Sequence, residues 1–156
     1  QVIDAGPLAR EPCMKIKASL VDIKLHEDAI HRGPAQVYPA VRDAIYLAMK
    51  DGKACLFEPV QVYLIEAPND YLSTLTGLIS SKRGQLLDVR QDESGVTIKA
   101  KIPVPEMIGW SNDLRSATEG RGVSSLIDQT LEKMPNELQQ ITIKQIRARK
   151  GLAENQ

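Results

Sequence analysis

The chain carries two histidines, His26 and His31, and both fall in one stretch, Leu-His-Glu-Asp-Ala-Ile-His-Arg-Gly-Pro-Ala-Gln, from Leu25 to Gln36. Imidazole titrates near neutrality and is the commonest metal ligand, so the pair, with Glu27 and Asp28 between them, invites a cation or a proton. The spacing argues against a metal. The zinc-protease pattern needs histidines four apart on one helical face. Five apart, at about 100° per residue, two side chains on a helix diverge by about 140°. Acid-base catalysis fits poorly too: Asp28 could orient a ring, but no serine or cysteine nucleophile lies nearby in sequence, and a loop tip lacks walls that exclude water. A small metal-dependent hydrolase built on His26, Asp28 and His31 is therefore the weaker reading, and no metal site and no catalytic residue is assigned. What the stretch can do is insert. Gly33 permits unusual backbone angles and Pro34 fixes them, so a tight turn presents His31 and Arg32 outward. Helical RNA offers a shallow groove of hydroxyls and phosphates that such a tip can contact.

The flanking elements must position that tip. Upstream, Met14, Ile16, Ala18 and Leu20 alternate with polar residues, and after a slip of phase Val21, Ile23 and Leu25 continue the apolar set. This predicts a half-buried strand over Met14–Leu25 with a bulge near Leu20–Val21 and His26 at its polar end. Downstream, Val37, Val41, Ile45 and Met49 recur every four residues, which predicts a helix from about Val37 to Lys50, with Pro39 in its first turn and a stop near Gly52. This strand-loop-helix piece is below the size at which a lone core is usually stable. The opening residues read as the end of a helix closing at Gly6-Pro7, without an initiator methionine, so a longer polypeptide is expected.

A second unit begins near Cys55. Val60 to Ile65 predict a strand ending at Pro68. Asn69 or Asp70 is expected to cap a helix with the stripe Leu72, Leu75, Ile79, closed by Gly84. Strands over Leu86–Arg90 and Val96–Ile102 follow, then a helix from Glu106 to about Glu119 burying Met107, Ile108, Leu114 and Ala117. A weaker strand runs from Val123 to about Leu131. The order β-α-β-β-α-β is the ferredoxin-like pattern. Pro135 starts a last helix through about Lys150. The fold class expected is α+β, with a partial first domain over residues 1–54, the ferredoxin-like domain over 55–131 and a tail helix over 132–156.

Twenty basic and twenty acidic side chains cancel, which argues against coating nucleic acid by bulk charge; any RNA contact must be local. The candidates beyond the tip are Lys82, Arg83, Arg115 and Arg121, with a tail cluster of Lys144, Arg147, Arg149 and Lys150 that would equally suit a helix C-terminal dipole. Cys13 and Cys55 lack metal-site spacing and read as free thiols. The glycine-rich turn followed by Lys and Ser or Thr that cradles a nucleotide triphosphate is absent, so no GTP site of that kind is expected. No apolar run reaches the roughly 18 residues of a membrane span, and Gln1-Val2-Ile3-Asp4 does not resemble a signal peptide. The expected location is cytoplasmic, without membrane partners.

The pattern His26-x-Asp28-x-x-His31-Arg32-Gly33-x-x-Gln36 resembles the tip loop of domain IV in the translation elongation factor 2 family, the archaeal and eukaryotic translocation GTPases. The likeness extends through Gly6-Pro7-Leu8-Ala9-Arg10-Glu11-Pro12-Cys13 and Arg42-Asp43-Ala44-Ile45-Tyr46. Lys82-Arg83-Gly84, Leu114-Arg115-Ser116-Ala117-Thr118 and Ile146-Arg147-Ala148-Arg149-Lys150-Gly151-Leu152 are similar to domain V and the carboxyl tail. Bacterial elongation factor G lacks the His-Arg-Gly tip, and the short ending resembles the archaeal form. The resemblance implies that His31 is the residue converted to diphthamide by dedicated synthesis enzymes. It implies that His26, Asp28, Ile30, His31, Arg32, Gly33, Pro34 and Gln36 form a loop that meets the tRNA-mRNA duplex and ribosomal RNA in the decoding-site A site. GTP and magnesium would be held upstream of Gln1, leaving no enzymatic activity and no cofactor in this chain, and the tail helix would pack back toward domain IV. Ser124 to Met134 depart from the family's usual run. A paralogous GTPase of ribosome maturation or splicing is the alternative within the same architecture.

Overall fold

The computed structural model describes residues 2–153. They form two compact units: Phe57–Lys133, and a second made of the residues before and after that span.

The unit Phe57–Lys133 is built on a four-stranded antiparallel sheet. Helix α1 (Pro34–Asp51) precedes this unit; strand β1 (Phe57–Ala67) leads into helix α2 (Leu72–Ser81), strands β2 (Gln85–Asp92) and β3 (Gly95–Pro103) make a hairpin, and helix α3 (Trp110–Ala117) precedes strand β4 (Val123–Lys133). The spatial order is β2-β3-β1-β4, the arrangement of the ferredoxin-like α+β fold that the element order predicts. β1 is central, with Tyr63 opposite Ala100, Ile65 opposite Ile98 and Ala67 opposite Val96. Directly paired residues share a face, so these side chains line one side of the sheet. There they form the core with Leu75, Ile79, Trp110 and Leu114. The Trp110 indole N–H, which would otherwise lose water, donates to Ser124 Oγ at 2.9 Å.

Local chemistry departs from the sequence expectation in several places. Neither Asn69 nor Asp70 caps α2 with a side chain: residues Asn69–Tyr71 form a 3-10 turn, and Asn69 Nδ2 donates to the Asp92 carbonyl instead. The left-handed residue that ends α2 is Arg83, at φ +53°, not Gly84. Gly84 is required for a different reason: a Cβ there would lie 2.6 Å from Ile79 Cγ2 and 2.7 Å from the Ile79 carbonyl oxygen. The single helix expected over Glu106–Glu119 is two pieces, a 3-10 turn at Val104–Met107 and then α3. Gly109, at φ +82°, separates them and leaves Ile108 exposed rather than buried. β4 runs the full length of β1, from Val123 opposite Glu66 to Lys133 opposite Phe57, with Ile127 as the extra residue of a bulge.

The other unit has few apolar side chains buried. Helix α1 (Pro34–Asp51) starts three residues earlier than the periodicity predicts, because Gly33 and Pro34 supply its cap and first position. Pro39 thus lies inside the helix, where it has no N–H to offer the Ala35 carbonyl. No α1 residue is buried. The strand expected over Met14–Leu25 is not one. The alternation is present in the residues, but a strand exists through its ladder, and no strand pairs with this stretch among the described residues. Leu20 and Val21 are 72% and 95% exposed, and the expected bulge has nothing to bulge from. Residues 2–10 make successive turns rather than a helix end.

Polar contacts carry this unit instead. In the tail helix α4 (Asn136–Arg149), Arg147 Nη1 donates to the Leu8 carbonyl at 2.9 Å. Lys150 Nζ reaches the carbonyls of Ala9 and Arg10 and sits 2.6 Å from Glu11 Oε1. Buried Gln139 accepts from the Leu56 amide and donates to the Met134 carbonyl, and the Tyr46 hydroxyl donates to the Ala5 carbonyl at 2.6 Å. The tail cations Arg147 and Lys150, readable from sequence as RNA contacts or dipole partners, hold residues 8–11.

Two glycines test this packing. Gly77, in the middle of α2 with nothing within 4 Å of a built Cβ, should tolerate alanine with a gain of about 0.4–1 kcal/mol from the restricted unfolded chain. Gly84→Ala should lose about 1–3 kcal/mol through overpacking against Ile79. Urea denaturation of the two variants checks the opposite signs. At the hairpin turn the Ser94 hydroxyl and the Ser94 and Gly95 amides donate to Asp92 Oδ1, and the Ser94 hydroxyl above all holds the Asp92 carboxyl below its ordinary value. A lowered folded-state value contributes stability above the unfolded pKa that is lost as pH falls through the folded one. Asp92→Asn should accordingly flatten the acid limb of a stability-against-pH curve, while an unchanged limb would contradict the assignment.

Candidate functional site

The loop from His26 to Gly33 is ordered by its own short-range bonds. Asp28 stands as the N-cap of a single 3-10 turn, Ala29–His31: its Oδ1 accepts from the Ile30 amide at 3.2 Å, the role for which a short acidic side chain suits a cap. The Asp28 amide donates to His26 Nδ1 at 3.1 Å. An acceptor Nδ1 requires the neutral ring with its proton on Nε2. The His26 and His31 rings meet edge to face, with centroids 4.7 Å apart and planes at 67°. Arg32 turns back across the loop: Nε donates to the His26 carbonyl at 2.6 Å and Nη2 to the Glu27 carbonyl at 2.7 Å. His31 and Arg32 are both exposed, and Ile30 is exposed as well.

Gly33, Pro34 and Gln36 pass from the loop into α1. The Gln36 and Val37 amides donate to the Gly33 carbonyl, each at 3.0 Å, so the tip is joined to the helix without a flexible linker. Beside it, the first turns of α1 carry an open cleft lined by Pro34, Ala35, Tyr38, Pro39 and Arg42. The periodicity did not point to it, because Pro34 was read as part of the turn and Pro39 as a first-turn residue of the helix. Among the described residues, no group of three or more His, Cys, Asp or Glu side chains is arranged to hold a metal ion. His26 and His31 come together as rings packed edge to face, not as ligands aimed at one point.

The four candidate cations of the ferredoxin-like unit differ in what occupies them. Lys82 pairs with Asp113 at 2.7 Å. Arg83 is held on both sides: Nη2 and Nη1 reach Glu58, which is 5% exposed, and Nε reaches Glu106 at 2.8 Å. Those bonds, Glu58 first, raise the Arg83 guanidinium above its ordinary value. Arg121 lies over the Tyr71 ring at 4.8 Å, bonds the Tyr71 hydroxyl and pairs with Glu119. Arg115 is exposed and forms no ion pair among the described residues. No sequence signal could have found these partners, since Glu58 and Tyr71 lie 25 and 50 positions from the arginines they bind.

Comparison with known proteins covers nearly the whole chain. Residues 1–53 match the model of elongation factor G, domain IV, and residues 55–142 that of the elongation factor G C-terminus. Elongation factor 2 of Nanoarchaeum equitans is 56% identical over 152 residues, 97% of this chain and 20% of the relative. Elongation factor 2 of Pyrococcus furiosus is 48% identical over 155 residues, 99% and 21% respectively. That of Methanosphaera stadtmanae is 47% identical over 150 residues, 96% and 20%. The chain thus spans about a fifth of the length of these curated relatives.

The cap makes a local prediction. Asp28→Ala should expose the Ile30 amide and speed its hydrogen exchange by up to about tenfold, while Asp28→Asn, an equally good cap, should keep it slow. Identical exchange in the two variants would show that the turn does not depend on the cap.

Proposed function

Because the chain belongs to the family of elongation factor G and elongation factor 2, we propose that it is the last part of a GTP-dependent translocation factor and that its tip loop enters the ribosomal decoding site. The single observation that carries this reading is the loop itself: His31 stands exposed at the end of a turn fixed by Asp28 and Arg32 and continuous with α1. A rigid, unwalled tip is suited to entering another molecule's groove and unsuited to enclosing a substrate. Helical RNA presents hydroxyls and phosphates that imidazole and backbone groups can meet without reading base edges.

In this reading His31 is converted to diphthamide by the synthesis enzymes, which lengthens the side chain and adds a cationic group. The loop His26, Asp28, Ile30, His31, Arg32, Gly33, Pro34 and Gln36 then occupies the A site as the tRNA-mRNA duplex moves. GTP and magnesium are bound in the preceding part of the longer protein, and this chain contributes no catalytic residue and no metal ligand. The balanced charge of the chain suits contact through a few placed groups, of which Arg115 is the one among the four candidates of the ferredoxin-like unit that has no acidic or aromatic partner among the described residues, and the protein acts in the cytoplasm. Lys82, Arg83 and Arg121 belong to the same ribosome-facing proposal in a lesser role, since each already has an acidic or aromatic partner.

Mass spectrometry of the His31 peptide from the native host tests the reading. A diphthamide mass on His31, with transfer of ADP-ribose to it by diphtheria toxin, is expected. A bare His31 in that host would overturn it in favour of the paralogous GTPase of ribosome maturation or splicing.

A further inference from the structure

We propose that Arg32 is a positioning residue for His31, acting through the backbone and ring of His26, and not one of the groups that meets RNA. The proposal rests on the functional reading above for what His31 does and on the loop geometry for how Arg32 serves it. A surface arginine beside a histidine that meets RNA is ordinarily taken for a phosphate contact. Here two adjacent arms of the guanidinium, Nε and Nη2, are directed at two successive carbonyls, of His26 and Glu27, at 2.6 and 2.7 Å. The planar fork matches that pair of acceptors, and charge-assisted bonds of this kind are the strong ones.

These bonds close a ring from residue 26 to residue 32. Within it, the Asp28 amide fixes the His26 ring through Nδ1, and that ring lies edge to face with His31. Displacing Arg32 frees the backbone of His26 and Glu27, and with it the ring that His31 leans on. A lysine retains the charge but offers a single point of donation on a flexible stem, so it cannot span both carbonyls in one geometry. The charge and the fork can therefore be separated by one substitution.

In the longer protein, Arg32→Lys and Arg32→Ala should behave alike. Both should speed hydrogen exchange at the Asp28 and Ile30 amides, and both should slow conversion of His31 by its modifying enzymes by roughly tenfold, the change that 1.4 kcal/mol produces. The dependence of ribosome binding on log salt should keep the wild-type slope in both. A lysine variant matching wild type in exchange and conversion would overturn the proposal. So would a slope that falls by about 0.7–0.9 in the alanine variant only, the mark of one lost phosphate contact. The exchange measurement needs no ribosome and no modification, so it decides the bracing role even if His31 proves bare in the native host. His31→Ala, which leaves the Arg32 bonds in place, should abolish conversion without speeding the Asp28 amide, and faster exchange there would contradict the direction of support argued here.

Discussion

The ferredoxin-like unit depends on β1 having a partner on each side. β3 pairs with it from Val60 to Ala67 and β4 from Phe57 to Glu66, so the strand that enters first is enclosed only when the strand that comes last arrives. The helices follow from this. Each crossover must return over the same face, and Ile65, Ala67, Val96, Ile98 and Ala100 give that face the apolar surface on which Leu75, Ile79, Trp110 and Leu114 close. Glu58, at the start of β1, is buried and carries a charge, which would be costly alone. The Arg83 fork meets it, and Glu106 takes the remaining arm. The same guanidinium thus satisfies a buried carboxylate and anchors the end of α2 to the turn before α3.

The unit containing the tip is organised on another principle. Its apolar side chains are mostly in contact with water, and what holds its described residues is a set of side chains reaching backbone carbonyls: Arg147 to Leu8, Lys150 to Ala9 and Arg10, Tyr46 to Ala5, and Gln139 to Met134. Each such bond is worth about 0.5–1.5 kcal/mol net, somewhat more where the donor is charged. That is enough to fix a path and too little to replace a core. The curated relatives are about five times longer than this chain, and the exposed row Ile16, Leu20, Val21, Ile23 and Leu25 is where burial is most conspicuously absent.

What could be read from the residues alone divides along the same line. The β-α-β-β-α-β order was legible because Val96, Ile98, Ala100 and Ile102 alternate in a strand with one buried face, and because Leu75 and Ile79 lie four apart. β4 gave a weaker signal since it is an edge strand whose side chains are exposed along nearly all its length, so burial did not constrain its pattern. Over Met14–Leu25 the reverse holds: the alternation is clear, but pairing is a property of two segments, and one segment cannot announce its partner. The end of α2 and the split at Gly109 turn on single φ values, which depend on what the chain must avoid and not on average propensity. At the candidate site, the family pattern singles out His31 and its neighbours as an expectation, whereas the inward turn of Arg32 was not legible, because a charged residue beside a glycine reads as solvated until its acceptors are seen.

That inward turn bears on how an exposed loop can be stiff at all. Seven residues without a buried side chain have no core to hold them, and each ordered residue costs about 1–2 kcal/mol of backbone freedom. A loop of this size is ordered only if its bonds are short in sequence, so that closing them costs little entropy. The bonds here span two to six positions: Asp28 to Ile30, Asp28 to His26, and Arg32 to His26 and Glu27. Pro34, two positions after Arg32, removes further freedom at the entry to α1. Every one of these devices leaves the His31 ring in water on its outer side. Rigidity bought by burial would have hidden the histidine, and rigidity from local hydrogen bonds lets the chain hold it firmly and still present it.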